Sequence, residues 1–529
     1  MNSTSDLESR TAMDVTVDDD VNTSVAECDI GDANIITPST NPKTHRQLFS
    51  ALLKLSYPII LCELFQSLLP VVDIAFVGNL SKEDLAAAAL ATTWFNICNV
   101  TMFGFMTGID TLLAQSFGAN QFLNYAIWTG NSLVIVFVAT VVISGVMTLC
   151  GPFMHLIVAD PKLSREAGMF ALRLIPGLFP YYSFKVLSKY LQTQHILAPS
   201  AWIGAMANVM NAVFNWTLIY KAGWGVAGSP WATSFTRTAE LLLIVAFMML
   251  KRSTILERTW PKLSGRNLST EALAPFMQIS LPGALAFFAR GGFFEATTLM
   301  ASFLGIVSLG AHSIALSMNT FLFVSFPFAI GNAASILVGS FIGEAKPIEA
   351  KKSFHVSLFF SYITQLMVIS VLLCWRIELG KLFSNDYQVS NVVSGLIPIM
   401  CVFLINDASV ATSGGVFRGL GRQKWILSIN LFGSWILAMP VAYCLAFKTS
   451  LEVYGLWWGM SVGVIFSAIT CQFILNYQVK WQRECRNAAE RLSSIHITNR
   501  RSSQEPLLPQ NRDLRQRICD ESDPAYTLT

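Results

Sequence analysis

Long apolar runs alternate with short polar breaks along most of the chain, at about residues 50–78, 85–109, 125–149, 168–191, 197–220, 224–250, 274–301, 306–338, 353–375, 389–413, 425–447 and 454–479. Crossing a bilayer takes roughly 20 mostly apolar residues in a helix. The pattern therefore predicts twelve membrane-spanning helices. The runs are also empty of charge: no Asp, Glu, Lys or Arg occurs over 111–159, 190–220, 296–343 or 453–479. Polar, Ser- and Asn-rich sequence over 1–49 and polar sequence over 480–529 read as disordered tails. The basic stretch 251–273 is the longest break between helices and reads as a linker between two lobes, 50–250 and 274–479.

Composition agrees with this reading. Of 529 residues, 53% are hydrophobic and only 13% charged, about half the charge of a soluble domain. That excludes a water-soluble enzyme, a secreted scaffold and a nucleic-acid binder. The ten Cys contain no Cys-x-x-Cys pair and the six His stand singly, so no metal centre or cofactor site is expected. The acidic start (Asp14, Asp18, Asp19, Asp20) is neither a signal peptide nor a mitochondrial presequence.

Charge at the helix flanks gives orientation. With the N-terminus inside, inner segments hold nineteen Lys and Arg, among them Lys185, Lys189, Arg418 and Arg422, and outer segments hold seven. The positive-inside rule then puts both termini in the cytoplasm, which an even number of spans requires. The sequons at Asn22 and Asn267 fall inside in this topology, and Asn79 lies close to the end of helix 1. No lipidation or retention signal decides between plasma membrane and vacuolar or other endomembrane.

The two halves echo each other. Lys54-Leu55-Ser56-Tyr57-Pro58 recurs as Gln278-Ile279-Ser280-Leu281-Pro282, Asp84-Leu85-Ala86-Ala87 as Ser308-Leu309-Gly310-Ala311, and Gln115-Ser116-Phe117-Gly118 as Ser340-Phe341-Ile342-Gly343. The offsets are 224, 224 and 225. Six spans per repeat is even, so the repeats share one orientation and enclose a central cleft of the kind used for alternating access.

Four phrases carry a family resemblance: Val72-Asp73-Ile74-Ala75-Phe76-Val77-Gly78, Asp110-Thr111-Leu112-Leu113-Ala114-Gln115-Ser116-Phe117-Gly118-Ala119, Leu191-Gln192-Thr193-Gln194, and Gly414-Gly415-Val416-Phe417-Arg418-Gly419-Leu420-Gly421-Arg422-Gln423. In order and spacing, over about 50–480, the chain resembles the multidrug and toxin extrusion (MATE) transporters of eukaryotic type. The resemblance implies a V-shaped pair of six-helix lobes that exports organic compounds in exchange for protons or sodium. It matches Asp73 to a first-helix carboxylate facing an N-lobe cavity, and Asn211 and Asn215 to its fifth-helix partners. Asp407 falls at the shared tenth-helix acidic position and Glu295 at the second seventh-helix glutamate. The pattern breaks where Arg290 occupies the first seventh-helix glutamate position and Ser317 the eighth-helix one. His312 follows the bacterial form of that helix.

Physical chemistry weighs these residues independently. A carboxylate at bilayer depth costs several kcal/mol unless protonated, paired or wetted. Asp73 is thus either a group that loads and releases a proton or a structural clamp between helices 1 and 5, and Asn211 and Asn215 can hydrogen-bond it in either state. Arg290 must be paired, snorkelled or wetted. Glu295, about 140° around the helix from it, is a poor partner, and Asp407 is the obvious one; contact with an anionic substrate is the alternative. A fixed cation there opposes sodium, so protons are the expected coupling ion. Glu63 is a candidate cleft residue, Asp110 a gate or helix-end residue, and Arg237 with Glu240 a local ion pair. Lys185 and Lys189 read as snorkelling cations, and His312 as a packed imidazole.

These readings point to a non-enzymatic, monomeric, secondary active antiporter. It would work on small organic, mainly cationic, compounds by alternating access, with membrane lipid and substrate as its partners. Export or flipping of anionic, zwitterionic or lipid-linked amphipaths is the alternative.

Overall fold

The structure is a computed structural model and describes residues 43–157, 160–251, 254–262, 270–383 and 386–500. Every element in these stretches is helical. In chain order they are α1 (His45–Val77), α2 (Lys82–Phe105), α3 (Thr107–Gly118), α4 (Phe122–Thr148), α5 (Cys150–Ile157), α6 (Pro161–Thr193), α7 (Ala198–Asn215), α8 (Gly228–Leu250), α9 (Thr254–Thr259) and α10 (Thr270–Phe303). Then follow α11 (Ile306–Phe323), α12 (Ala329–Gly343), α13 (Pro347–Cys374), α14 (Arg376–Phe383), α15 (Tyr387–Leu420), α16 (Gln423–Asn430), α17 (Met439–Phe447), α18 (Glu452–Phe473) and α19 (Trp481–Arg500).

Several neighbours run on as single rods. The chain bends at Met106 between α2 and α3, and π-helical turns join α11 to α12 (Val324–Phe328) and α16 to α17 (Leu431–Ala438). Pro327 lies inside the first of these turns and Pro440 just beyond the second. A proline lacks the N–H that the α-helical bond needs, and the widened turn absorbs that defect. Among the described residues each of the twelve apolar runs lies on a long helical rod, and α19 is a further helix outside them. Among the described residues, nine helices are long and apolar enough to cross a bilayer; α6, α7 and α10 fall outside that set. The molecule is an all-α polytopic membrane protein.

The internal echo in sequence has a counterpart in the backbone. Asn120 and Ala345, 225 positions apart, both sit at positive φ (56° and 58°) after α3 and α12. Each turn carries the same pair of bonds: Gln121 N–H to Ser116 C=O and Asn120 N–H to Phe117 C=O, Lys346 N–H to Phe341 C=O and Ala345 N–H to Ile342 C=O. The same left-handed cap closes α6 at His195 (φ 62°) and α15 at Gly421 (φ 73°). It satisfies carbonyls that a helix end leaves open. At their other ends, α6 and α15 are capped alike by Asp160 and Asp386, whose carboxylates accept from the N–H groups two and three residues on.

The N-terminal half builds one core around Trp128, Tyr182, Phe184 and Tyr190. The C-terminal half builds another around Phe403, Trp457 and Met400. A third cluster spans both, joining Leu48, Leu52, Leu55 and Ile59 of α1 to Leu337, Phe354 and Phe417. The halves also touch backbone to backbone where α2 crosses α10. A Cβ on Gly104 would meet the Gly283 carbonyl oxygen at 2.5 Å, so only glycine permits the crossing.

Where the sequence reading places a tail from Lys480, the chain forms α19, with Trp481, Cys485, Ala488 and Leu492 buried. Within the expected linker, α9 is helical. The remaining tail and linker residues, 1–42, 252–253, 263–269 and 501–529, lie outside the described residues.

Candidate functional site

Charged side chains in the interior fall into small groups along the bundle, and the partners of each decide what it can do. In the N-terminal half, α1 brings Asp73 against α7 and α8. Asn215 Nδ2 donates to one Asp73 carboxylate oxygen at 2.8 Å and Thr233 Oγ1 donates to the other at 2.7 Å. Asn211 and Asn215 are fully buried, one helical turn apart, and Asn215 also donates to Asn211. The expected Asp73–Asn211–Asn215 group is therefore assembled. Thr233 completes it, a residue the sequence reading passed over because a lone threonine in an apolar helix usually bonds only its own backbone, as Thr233 also does to Ser229.

Asp73 lines a cavity of about 80 Å³ with Leu69, Phe95, Phe170, Tyr181 and Arg237. Drug-sized pockets run to about 300 Å³ and more, so in this conformation the space suits water and small ions. Beneath it lies a second group. Arg237 Nη1 donates to Gln66 Oε1 at 2.7 Å and to Glu240 at 3.1 Å, with its guanidinium 4.1 Å from the centre of the Tyr181 ring. Gln66 in turn donates to the other Glu240 oxygen at 2.5 Å. Arg237 and Glu240 do pair, as their spacing predicts, with Gln66 as an unanticipated third member.

One turn further along α1, Glu63 faces Lys185 of α6 at 3.4 Å. Lys185 is 5% exposed and lies near the Phe103 and Tyr181 rings. Lys189, four residues on, pairs with Asp110 of α3. Both lysines point inward to carboxylates rather than outward to water, which corrects the snorkelling expectation. Hydropathy along α6 registers only that a lysine is present, and its partner stands 122 residues away on another helix.

In the C-terminal half, Arg290 of α10 meets Asp407 of α15 through Nη2, at 2.7 and 2.8 Å to the two carboxylate oxygens. The guanidinium also lies 4.6 Å from the Phe323 ring centre and 5.3 Å from that of Phe294. Asp407 is fully buried. Glu295 is exposed and has no ion-pair or hydrogen-bond partner among the described residues; it does not join Arg290 and Asp407. Ser317 bonds its own helix at Ser313, and His312 is buried between Thr298 and Trp457. Among the described residues no group of His, Cys, Asp and Glu is arranged to hold a metal ion.

Long apolar helices around interior charges and small cavities make a polytopic membrane transporter. The MatE family model matches residues 58–217 and 282–444, two segments whose starts stand 224 positions apart. The chain belongs to the MATE (multidrug and toxin extrusion) family, a family of secondary transporters that move small organic compounds and are not enzymes. It is similar to human multidrug and toxin extrusion protein 1, with 28% identity over 467 residues, 88% of this chain and 81% of that one. Protein DETOXIFICATION 14 of Arabidopsis thaliana is 28% identical over 461 residues, 85% of this chain and 93% of that one. The crystal structure of the eukaryotic MATE transporter AtDTX14 superimposes with a TM-score of 0.80 at 26% identity, covering 85% of this chain and 99% of that one.

Proposed function

We propose that the protein is a proton-coupled antiporter that exports small organic cations by alternating access, with Asp73 as the proton-carrying group. One observation carries this reading. Four other interior carboxylates, Glu63, Asp110, Glu240 and Asp407, are each ion-paired, whereas Asp73 has only neutral hydrogen-bond partners among the described residues. Protonating any of the four would strand a buried cation. Protonating Asp73 strands none, and the Thr233 hydroxyl and Asn215 amide serve both states of the carboxyl.

The same accounting supports cations as cargo. Arg290 is neutralised by Asp407, so Asp73 and Glu295 are the negative charges left for a guest, beside aromatic rings able to receive a cation. An even number of spans, with the excess of Lys and Arg on the inner flanks, supports both termini in the cytoplasm. A monomer in the plasma membrane or an endomembrane fits this topology. Proton coupling is supported by a carboxyl whose partners, the Asn215 amide and the Thr233 hydroxyl, can hydrogen-bond its protonated form as well as its charged one.

A second reading draws on Arg237, which lines the Asp73 cavity: anionic or zwitterionic amphipaths as cargo. Purified protein in proteoliposomes with an imposed pH gradient separates the two. Gradient-driven movement of an organic cation such as tetraethylammonium, retained when sodium is replaced by choline, supports the first reading. Gradient-driven movement of an organic anion alone selects the second, and a strict sodium requirement removes the proton assignment.

A further inference from the structure

The two halves are fastened together at one face of the molecule, the face that carries the start of α1 and all of α19. Inside the seam, Asp110 of α3 is shared. It pairs with Lys189 of its own half and lies 3.5 Å from Arg418 Nε of the other half. Arg418 has a second partner within its own half, Asn332 at 2.9 Å. Each member of the cross-seam pair thus keeps a partner if the halves part, and the bond that would break is the long one. Opening leaves Asp110 paired with Lys189 and Arg418 bonded to the Asn332 amide, so the cost falls on Arg418 and is met when water reaches its guanidinium.

The backbone repeats the logic. The cap at Gly421 satisfies the Phe417 and Arg418 carbonyls of α15 but leaves those of Gly419 and Leu420 open, and side chains from other helices bond to this end. Thr111 Oγ1 donates to Arg418 C=O at 2.5 Å and Gln115 Nε2 donates to Gly419 C=O at 2.8 Å. From α19, Arg491 Nη2 donates to Leu420 C=O at 3.0 Å. In the other direction, Asn124 at the start of α4 donates to Leu492 C=O at 3.0 Å, and Arg422 forms a bidentate pair with Glu484 at 3.0 and 2.7 Å. One helix therefore holds the N-terminal half at Leu492 and the C-terminal half at Arg491 and Glu484.

We propose that Asp110 and Arg418 form a reversible lock on the cytoplasmic seam and that α19 is a strap across it, both released when the transporter opens inward. This rests on the alternating-access reading above. In the strapped state the seam excludes water. Opening lets cytoplasmic water take over the carbonyls of α15, so release costs the cross-seam contacts but leaves no buried group unsatisfied.

The test reads seam opening directly and needs neither substrate nor gradient. Ser340 is buried where Gly118 packs against its backbone, so a Ser340→Cys reporter, in a protein with its native cysteines replaced and held in nanodiscs, should react slowly with a polar maleimide. Arg418→Gln leaves the Asp110–Lys189 pair intact and removes the cross-seam charge together with the Arg418–Asn332 contact. Arg491→Gln and Asn124→Ala loosen the strap and leave the cross-seam pair in place. Each should raise the labelling rate about tenfold, within the range of typical coupling energies. Lys189→Gln, which leaves the cross-seam pair in place, should raise it less. Rates equal to the parent in monodisperse Arg418→Gln and Arg491→Gln proteins would overturn the lock and the strap. That result would leave the cation–proton reading standing, because proteoliposome transport tests it separately.

Discussion

Arg290 and Asp407 join α10 to α15 through one guanidinium nitrogen placed 2.7 and 2.8 Å from the two carboxylate oxygens. The carboxylate is fully buried and the arginine is flanked by Phe294 and Phe323. A buried pair adds little net stability over an apolar replacement, yet losing one partner costs about 3–5 kcal/mol. Asp407→Asn is therefore expected to lower the thermal stability of the purified protein markedly. The double change Arg290→Met with Asp407→Leu should recover most of the loss. Equal stability of Asp407→Asn and the parent in a melting assay would mean that the pair is solvated and that Arg290 is free to meet an anion.

At Asp73 the expectation is reversed, because no cation depends on it. Asp73→Asn keeps the shape and the contacts with Asn215 and Thr233 but cannot titrate. The protein should fold and reach the membrane normally while losing proton-driven exchange. Thr233→Val removes one hydrogen bond, worth about 1 kcal/mol, and should shift the pH profile of transport without abolishing it. Transport by Asp73→Asn with an unchanged pH profile would move the proton site to Glu295.

Much of the frame was legible from residue order, because bilayer depth imposes a length and a polarity on every span. Each run falls on a helical rod, and among the described residues nine helices are long and apolar enough to cross a bilayer. The offset read from weak matches such as Pro58 and Pro282 reappears, within one or two residues, in paired caps at Asp160 and Asp386 and paired turns at Asn120 and Ala345. What remained hidden was lateral. Nothing local in α6 marks Lys185 as turned toward Glu63, and nothing in Thr111 or Arg418 reveals that residues some 300 positions apart meet. The inner end of the second span was also set too early, at about residue 109, because Asp110 reads as a gate or helix-end residue. Its charge is tolerated in helix α3 by Lys189 and Arg418. The helix after Lys480 was missed for a related reason: its polar side faces water, and only Trp481, Cys485, Ala488 and Leu492 mark the face that packs.

His195 offers a pH test outside the spans. It sits in the turn between α6 and α7 at φ 62°, beside the Phe117 ring. Burial holds its imidazole down at about 4 from an ordinary 6.5, with Lys43 acting in the same direction. The folded state thus favours the neutral ring. The associated stability is complete above about pH 6.5 and is lost as the pH falls toward 4, because the unfolded chain binds the proton first. His195→Asn tolerates the left-handed backbone and does not titrate. Melting curves from pH 7.5 to 4.5 should show the parent losing stability relative to this variant below pH 6.5. Parallel curves would show that the imidazole is solvated.

The pair of Glu63 and Lys185 tests whether an inward lysine is structural. Lys185 is 5% exposed, so its ammonium has little water to fall back on, and Glu63 at 3.4 Å is its ion-pair partner. If Lys185 were snorkelling, Lys185→Met would be nearly neutral and Glu63→Gln would pass unnoticed. Paired as they are, each single change strands the opposite charge in the bundle and should destabilise by about 3–5 kcal/mol. The double variant Glu63→Gln with Lys185→Met removes both charges and should return close to the parent. A double-mutant cycle on thermal or denaturant unfolding gives the coupling directly. Additive losses would mean that the two side chains are independent, and the Arg237–Glu240–Gln66 group one turn above would then be the innermost charge network of α1.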